Sequence, residues 1–295
     1  MRILVTGAGG FVGSRLIPAL MAEGYDVVGV VRERMPPELS LDSSPGKVSF
    51  VTGDLTQGLE IPGPIDVVIH AASTLSVGGR LPVADHIANN TMVTCDLIEK
   101  ALSLGVRKFL FFSTVSVYGE INESVIDENT PTKNPDIYGL SKYLAEQALA
   151  EAASSLPSIS LRLPGIIGKG AHQIWLPRCV GKMLRNEPVK IYNPSALFNN
   201  SVHISDICNF MARLLKSPLS GHEVITLGAG GALSIQDVME RLASGLGSHS
   251  EIIESRNGRS SYTISIEKAQ NRFGYAPMDT ETMIDHYARE ILDAT

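Results

Sequence analysis

Arg2-Ile3-Leu4-Val5-Thr6-Gly7-Ala8-Gly9-Gly10-Phe11-Val12-Gly13 is the stretch that decides the fold. A short apolar run passes directly into a glycine-rich turn, and a helical pattern over 11–23 follows. In that setting each glycine has a reason. Gly7 permits the tight turn, Gly10 lets the backbone approach a pyrophosphate, and Gly13 lets helix and strand pack closely. The helix start then offers free N–H groups and the positive end of its dipole to phosphate oxygens. The stretch predicts a strand–turn–helix unit that holds a dinucleotide, with Phe11 and Val12 in its first turn.

Outward from that unit, apolar runs recur at 26–31, 48–52, 66–70, 107–113 and 158–163, with helical patterns at 86–104 and 138–153 among them. Continuous runs such as Val67-Val68-Ile69 and Phe109-Leu110-Phe111-Phe112 suit strands covered on both faces. The alternation implies an α/β fold, a doubly wound parallel sheet of Rossmann type. Segments 33–46 and 53–64, rich in Pro, Gly and Ser, read as loops. After Pro164 the rhythm changes, with helices expected near 172–186, 205–216, 234–247 and 280–294 joined by short strands. The expected division is a dinucleotide-binding domain over 1–165, to which 199–227 returns, and a smaller α/β substrate lobe over 166–295.

Bulk properties exclude several classes. The 295 residues are 44% hydrophobic, enough for one large core or a core with an appended lobe. A net charge of −6 from 25 basic and 31 acidic residues carries no basic stripe, so nucleic acid is not the expected partner. The 3 cysteines, Cys95, Cys179 and Cys208, are far apart and fit a reducing compartment. With a strand starting almost at Met1 and no apolar run of membrane-spanning length, a cytoplasmic protein without cleaved signal or membrane partner is expected. Among the 7 histidines, His70 ends a strand and His203 lies in a predicted buried strand; none has metal-ligand spacing, so no metal is expected.

The remaining motifs follow the first in order. An acidic residue at the end of the second strand would bind the adenosine ribose hydroxyls; this chain has Val31 and then Arg32, with Arg34 nearby. A guanidinium fits a 2′-phosphate, so NADP is expected over NAD, the alternative being an arginine merely exposed on a loop. Asp54 in Gly53-Asp54-Leu55 stands where an adenine amino group is accepted, and His70-Ala71-Ala72-Ser73 ends the fourth strand with small residues. Three hydroxyls compete at the end of the fifth strand, where ligands bind: Ser113, Thr114 and Ser116. Alternation puts Thr114 and Ser116 on one face and Ser113 on the other. Finally, Tyr138 and Lys142 stand four apart on one helix face. A free tyrosine titrates near about 10, and a neighbouring ammonium, together with an oxidised nicotinamide, favours the phenolate. Turn and pair together describe hydride chemistry.

Taken together, these residues resemble the extended short-chain dehydrogenase/reductase family, which contains sugar-nucleotide epimerases, dehydratases and ketoreductases. The resemblance rests on the spacing of Gly7, Gly10 and Gly13, on Gly53-Asp54-Leu55, His70-Ala71-Ala72, Asn90, Val117-Tyr118-Gly119, and Tyr138 with Lys142; Val202-His203-Ile204-Ser205-Asp206 is similar to the family's return segment. It implies Thr114 as the catalytic hydroxyl, Tyr138 as proton carrier, and Lys142 as the group that binds the nicotinamide ribose and lowers the tyrosine pKa. The cofactor contacts expected are Gly7, Gly10, Phe11, Val12, Gly13, Arg32, Asp54, Leu55, Ala71, Ala72, Ser113, Tyr138, Lys142 and Pro164. Substrate contacts are expected at Ser73, Ser116, Gly165 and Asn199. A homodimer through the fourth and fifth helices is also implied.

Departures from the family pattern narrow the substrate. Val115 and Ser116 stand where the 4,6-dehydratases carry an Asp-Glu pair, which argues against dehydration. Gly165 replaces a usual asparagine, and Asn199-Asn200-Ser201 lacks an arginine that many members place on the substrate diphosphate. Lys169, Arg178, Lys182 and Arg259 are candidate substitutes, each equally readable as plain surface. The leading expectation is an NADP-preferring reductase of a C4 keto group on a nucleotide-activated sugar. The alternatives are an NAD(P)-dependent nucleotide-sugar 4-epimerase and, from another class, a non-catalytic NADP-binding regulatory module.

Overall fold

The computed structural model describes residues 1–33, 44–75, 81–172, 174–255 and 261–293. The chain divides into two compact units: Met1–Glu120 with Thr132–Arg162 and Met211–Ile225, and Ile121–Pro131 with Leu163–Phe210 and Thr226–Thr295.

The first unit is built on a seven-stranded sheet. Its strands are β1 (Arg2–Thr6), β2 (Asp26–Val31), β3 (Val48–Thr52), β4 (Val67–His70), β5 (Lys108–Thr114), β6 (Ser158–Leu163) and β7 (His222–Thr226). Their spatial order is β7-β6-β5-β4-β1-β2-β3, and the pairs β3–β2, β2–β1, β1–β4 and β4–β5 are parallel. Chain order therefore reverses between β1 and β4, and a ligand crevice opens beyond the carboxyl ends of strands at such a switch. The apolar runs have the expected cause: β5 is buried at every position and β4 likewise. Lys108 is the exception that has to be satisfied. Its buried Nζ donates to the carbonyls of Leu214, Leu215 and Ser217 at 2.6, 3.1 and 2.7 Å, capping the end of a helix whose last carbonyls lack intrahelical donors.

The helices are α1 (Phe11–Ala22), α2 (Val93–Ser103), α3 (Ile137–Glu151), α4 (Trp175–Met183), α5 (Ile204–Lys216), α6 (Ile235–Gly245), α7 (Glu267–Phe273) and α8 (Thr280–Leu292). The single helix expected over 86–104 differs in detail. A turn at Val83–His86 leads into a π-helical segment, Ile87–Met92, before α2. π segments often occur at functional sites; here it buries Asn90 and Thr91.

The second unit closes on an apolar core that includes Leu176, Val180 and Met183 of α4, Val238 and Leu242 of α6, and Ile284 and Tyr287 of α8. Each such aliphatic side chain contributes about 1.5–3 kcal/mol on burial. No described helix is long and apolar enough to cross a membrane.

Candidate active site

The crevice starts at the turn after β1. Gly7 has φ +70°, open to glycine at little cost, and a Cβ at Gly13 would fall 2.2 Å from the Gly7 carbonyl oxygen. No side chain of the described residues caps the start of α1, so its first N–H groups are left for a ligand. Gly7, Gly10, Arg32, Asp54, Leu55, Ala72 and Ser73 line a single cavity of about 640 Å³. Phe11, Val12 and Gly13 form the first turn of α1 above it, and Ala71 directly follows β4. A glycine cradle at an uncapped helix start, in a cavity of this size, fits a dinucleotide.

Arg32 lies at the rim of this cavity with its Nε 3.8 Å from the Asp54 carboxylate, both side chains well exposed. Asp54 itself caps a short 3-10 turn, accepting from the Thr56 N–H and hydroxyl, each at 2.9 Å. Those two bonds, with Arg32 a lesser contributor, hold its carboxyl below the usual value. Arg34, the second expected guanidinium, lies outside the described residues.

Beneath the cavity runs a chain of buried polar groups that connects the strands. His70 Nδ1 meets the Thr6 hydroxyl at 2.6 Å, and its Nε2 meets Thr94 Oγ1 at 3.0 Å. The Ala72 N–H donates to Thr6 Oγ1, so the small-residue turn is fixed from below. Burial, reinforced by Lys142, pushes the His70 pKa well down and keeps the ring neutral. Asn90 accepts from Thr74 N–H at 2.9 Å and donates to the Thr74 carbonyl and to Ser141 Oγ, at 3.1 and 3.0 Å, joining the segment after Ser73 to α3.

The reactive set stands where β5 ends and α3 begins. Thr114 accepts from Ser116 N–H at 3.1 Å, and its hydroxyl donates to Ser116 Oγ at 3.3 Å. Asp136 caps α3 by accepting from Gly139 N–H at 2.7 Å. Gly139 makes the close approach possible, since a Cβ there would fall 2.1 Å from the Ser116 carbonyl oxygen. The result sets the Tyr138 phenol close enough to the Ser73 and Thr114 hydroxyls for both to influence its pKa. His86, unmarked in the sequence reading, is buried and places its ring edge-on to Tyr138 at 6.4 Å.

The electrostatics differ from the expectation that Lys142 lowers the tyrosine pKa. Burial raises Tyr138 above its usual value, and the opposing influences are the Ser73 and Thr114 hydroxyls. Lys142 is fully buried, its Nζ 4.2 Å from the centre of the Phe111 ring. Desolvation brings its pKa down to about 7, against the pull of Glu146. With a pKa of about 7 Lys142 is only partly charged at neutral pH, so its support for the phenolate is partial.

Two expected contacts are corrected. Ser113 does not offer its hydroxyl to the crevice: Oγ donates to Glu146 Oε1, within a buried ion pair. Arg162 Nη2 donates to Glu146 Oε2 at 2.7 Å and its Nε to Oε1 at 3.1 Å, while its guanidinium lies 4.9 Å from the Tyr118 ring centre. Glu146 follows Lys142 by four residues on one helix face, a signal the sequence did offer. Asn199 has a structural role in place of a substrate contact. Its amide donates to the carbonyls of Ala229 and Ile264 and accepts from Ile264 N–H, at 3.3, 2.8 and 2.8 Å, which exhausts its face.

Pro164 and Gly165 belong to the second unit, where Gly165 opens a short strand paired with Ser201–His203. A Cβ at Gly165 would come within 3.1 Å of the Ile174 side-chain end. The neighbouring Asn200 keeps a buried side-chain oxygen without a partner among the described residues. Of the candidate substitute cations, Arg178 and Lys182 lie on α4, and Arg259 lies outside the described residues.

Comparison with known proteins agrees with this geometry. The model of the NAD dependent epimerase/dehydratase family matches residues 3–228. A UDP-glucose 4-epimerase of Halalkalibacterium halodurans is 29% identical over 97% of this chain and 94% of its own. Among solved structures, MoeE5 in complex with UDP-glucuronic acid and NAD is 25% identical, with a TM-score of 0.83 and coverage of 100% of both chains. UDP-glucuronic acid 4-epimerase from Bacillus cereus, in complex with UDP-glucuronic acid and NAD, is likewise 25% identical, with a TM-score of 0.81 over 100% of both chains.

Proposed function

The chain belongs to the NAD-dependent epimerase/dehydratase family, and on that premise we propose that it inverts C4 of a nucleotide-activated hexose, using NAD. The observation that carries this reading is the buried Tyr138 phenol close to the Ser73 and Thr114 hydroxyls, with Ser73 lining the glycine-turn cavity. It replaces the C4-keto reduction first expected. The similar proteins named above include two 4-epimerases, one of them bound to NAD and a UDP-sugar.

When bound, the dinucleotide supplies the hydride acceptor and donor. The chain's own groups handle binding, orientation and the proton. The glycine turn and the α1 start hold phosphates. Tyr138 Oη takes the proton from the C4 hydroxyl and returns it to the ketone oxygen, while Thr114 Oγ1 and Ser73 Oγ keep that oxygen beside the phenol. A net oxidation change is absent, because each electron pair removed from C4 is restored there on the other face. Val115 and Ser116 supply no second acid–base pair, which fits epimerisation better than dehydration. NAD is favoured over NADP because the Asp54 carboxylate beside Arg32 offsets the charge a 2′-phosphate would seek.

The test is direct. Purified protein is incubated with UDP-glucose or UDP-galactose without added reductant, and nucleotide released on denaturation is identified. Interconversion together with released NAD is the expected result. Consumption of NADPH by a 4-keto sugar nucleotide, without interconversion, would restore the reductase reading. No turnover at all, with dinucleotide-dependent association to a partner protein, would point to the regulatory module.

A further inference from the structure

The second unit gathers three donor side chains that the proposed reaction does not use. His203 ends the strand Ser201–His203; His286 and Glu290 stand four apart on α8, so both face the same side of that helix. One ligand atom from each lies within 4.8 Å of the others. His203 Nε2 and Glu290 Oε2 are 3.2 Å apart, close to the separation of two ligands on a tetrahedral ion with bonds of about 2.0–2.1 Å. The His203 and His286 rings meet edge-to-face with centres 4.7 Å apart.

A hydrogen bond between His203 and Glu290 alone would need neither His286 nor the supports around the pair. Ser205 Oγ lies 2.7 Å from His203 Nδ1, which fixes the ring and turns Nε2 toward Glu290. The Lys169 backbone N–H donates to Glu290 Oε2 at 2.7 Å and orients the carboxylate. Such outer partners hold imidazole and carboxylate ligands in metal sites. Only His203 is fully buried, and the other two are partly accessible, so an ion has a route in.

We propose that His203, His286 and Glu290 form a binding site for a single divalent ion of the zinc class, which ties α8 to the strand Ser201–His203. Imidazole and carboxylate are ligands zinc accepts, with water in the fourth position. On binding, the ion takes the Nε2 lone pair of neutral His203 and the ring proton moves to Nδ1, where Ser205 Oγ can accept it. The sequence concealed the site because His203 lies 83 positions before His286 and only the tertiary fold brings them together.

The experiment is a zinc titration of the full chain, stripped with chelator, against a competing indicator, with melting temperature followed in parallel. One ion per chain and a raised melting temperature are expected. His286→Ala, checked for native circular dichroism, should weaken binding at least as much as the about 10–100-fold caused by losing a supporting partner. Glu290→Gln, which keeps the side-chain shape, should weaken it too. Equal zinc binding by wild type and both folded variants would overturn the proposal, as would a wild-type chain that takes up no stoichiometric zinc.

Discussion

In the first unit, some buried polar side chains hydrogen-bond to one another in lines that run beside the candidate site. Thr6, His70 and Thr94 make one such line under the cavity; Ser113, Glu146 and Arg162 make another behind Lys142. In the second unit, Asn199 is buried as thoroughly, yet all of its partners are backbone groups. The first arrangement positions side chains, and the second fastens segments distant in sequence. A polar group that orients another functional group can be altered with loss of activity before loss of fold. One that satisfies backbone N–H and C=O groups acts on the fold itself.

The largest expected effect tests the first half of that contrast. Tyr138→Phe should lower turnover by about 10²–10⁴-fold, the share a placed proton carrier supplies, with dinucleotide binding and the urea midpoint nearly unchanged. A rate close to wild type in a direct epimerisation assay would exclude this tyrosine as proton carrier. Arg162→Met comes next, because it leaves the Glu146 carboxylate buried without its cation. Breaking such a pair costs about 3–5 kcal/mol, to be read from urea unfolding; a loss under about 1 kcal/mol would mean the pair is solvated after all.

A smaller effect is expected in the second unit. Asn199→Ala removes the side-chain acceptor of the Ile264 N–H, at about 1–3 kcal/mol for a buried group left unpaired, and hydrogen exchange at Ile264 should rise sharply. Unchanged exchange there would undo the contrast between the units. The smallest effect is one of pH. Lys142 has a folded pKa of about 7, below its usual 10.5. Between those values the unfolded chain binds more protons, so this residue makes stability rise with pH across that window, and its full penalty is present below it. Lys142→Met should flatten the rise when unfolding is compared at about pH 6.5 and 9. A slope equal to wild type would show that the lysine is charged and solvated when folded.

How much was legible in advance followed from how local each feature is. The strand–turn–helix at the start of the chain, β1 to β6 and the helix that carries Tyr138 and Lys142 match the expectation because each is specified by residues within one turn or strand. The π segment at Ile87–Met92 was missed, since a one-residue change in helical repeat leaves no mark in apolar periodicity. Strand alternation set Ser113 apart from Thr114 and Ser116 but said nothing about the Glu146 that meets its hydroxyl. The lowered pKa of Lys142 was hidden for a similar reason: spacing places an amine near a phenol, but burial sets its pKa.

By itself the sequence determined a doubly wound sheet with a phosphate-holding turn and a tyrosine–lysine helix, because those are matters of backbone geometry over a few residues. Tertiary structure alone decided that Ser73 and Thr114 stand near the Tyr138 phenol, that Asn199 locks Ile264, and that His203 meets His286 and Glu290. Those contacts join segments far apart along the chain. Their distances and dielectric surroundings exist only once the apolar faces have packed.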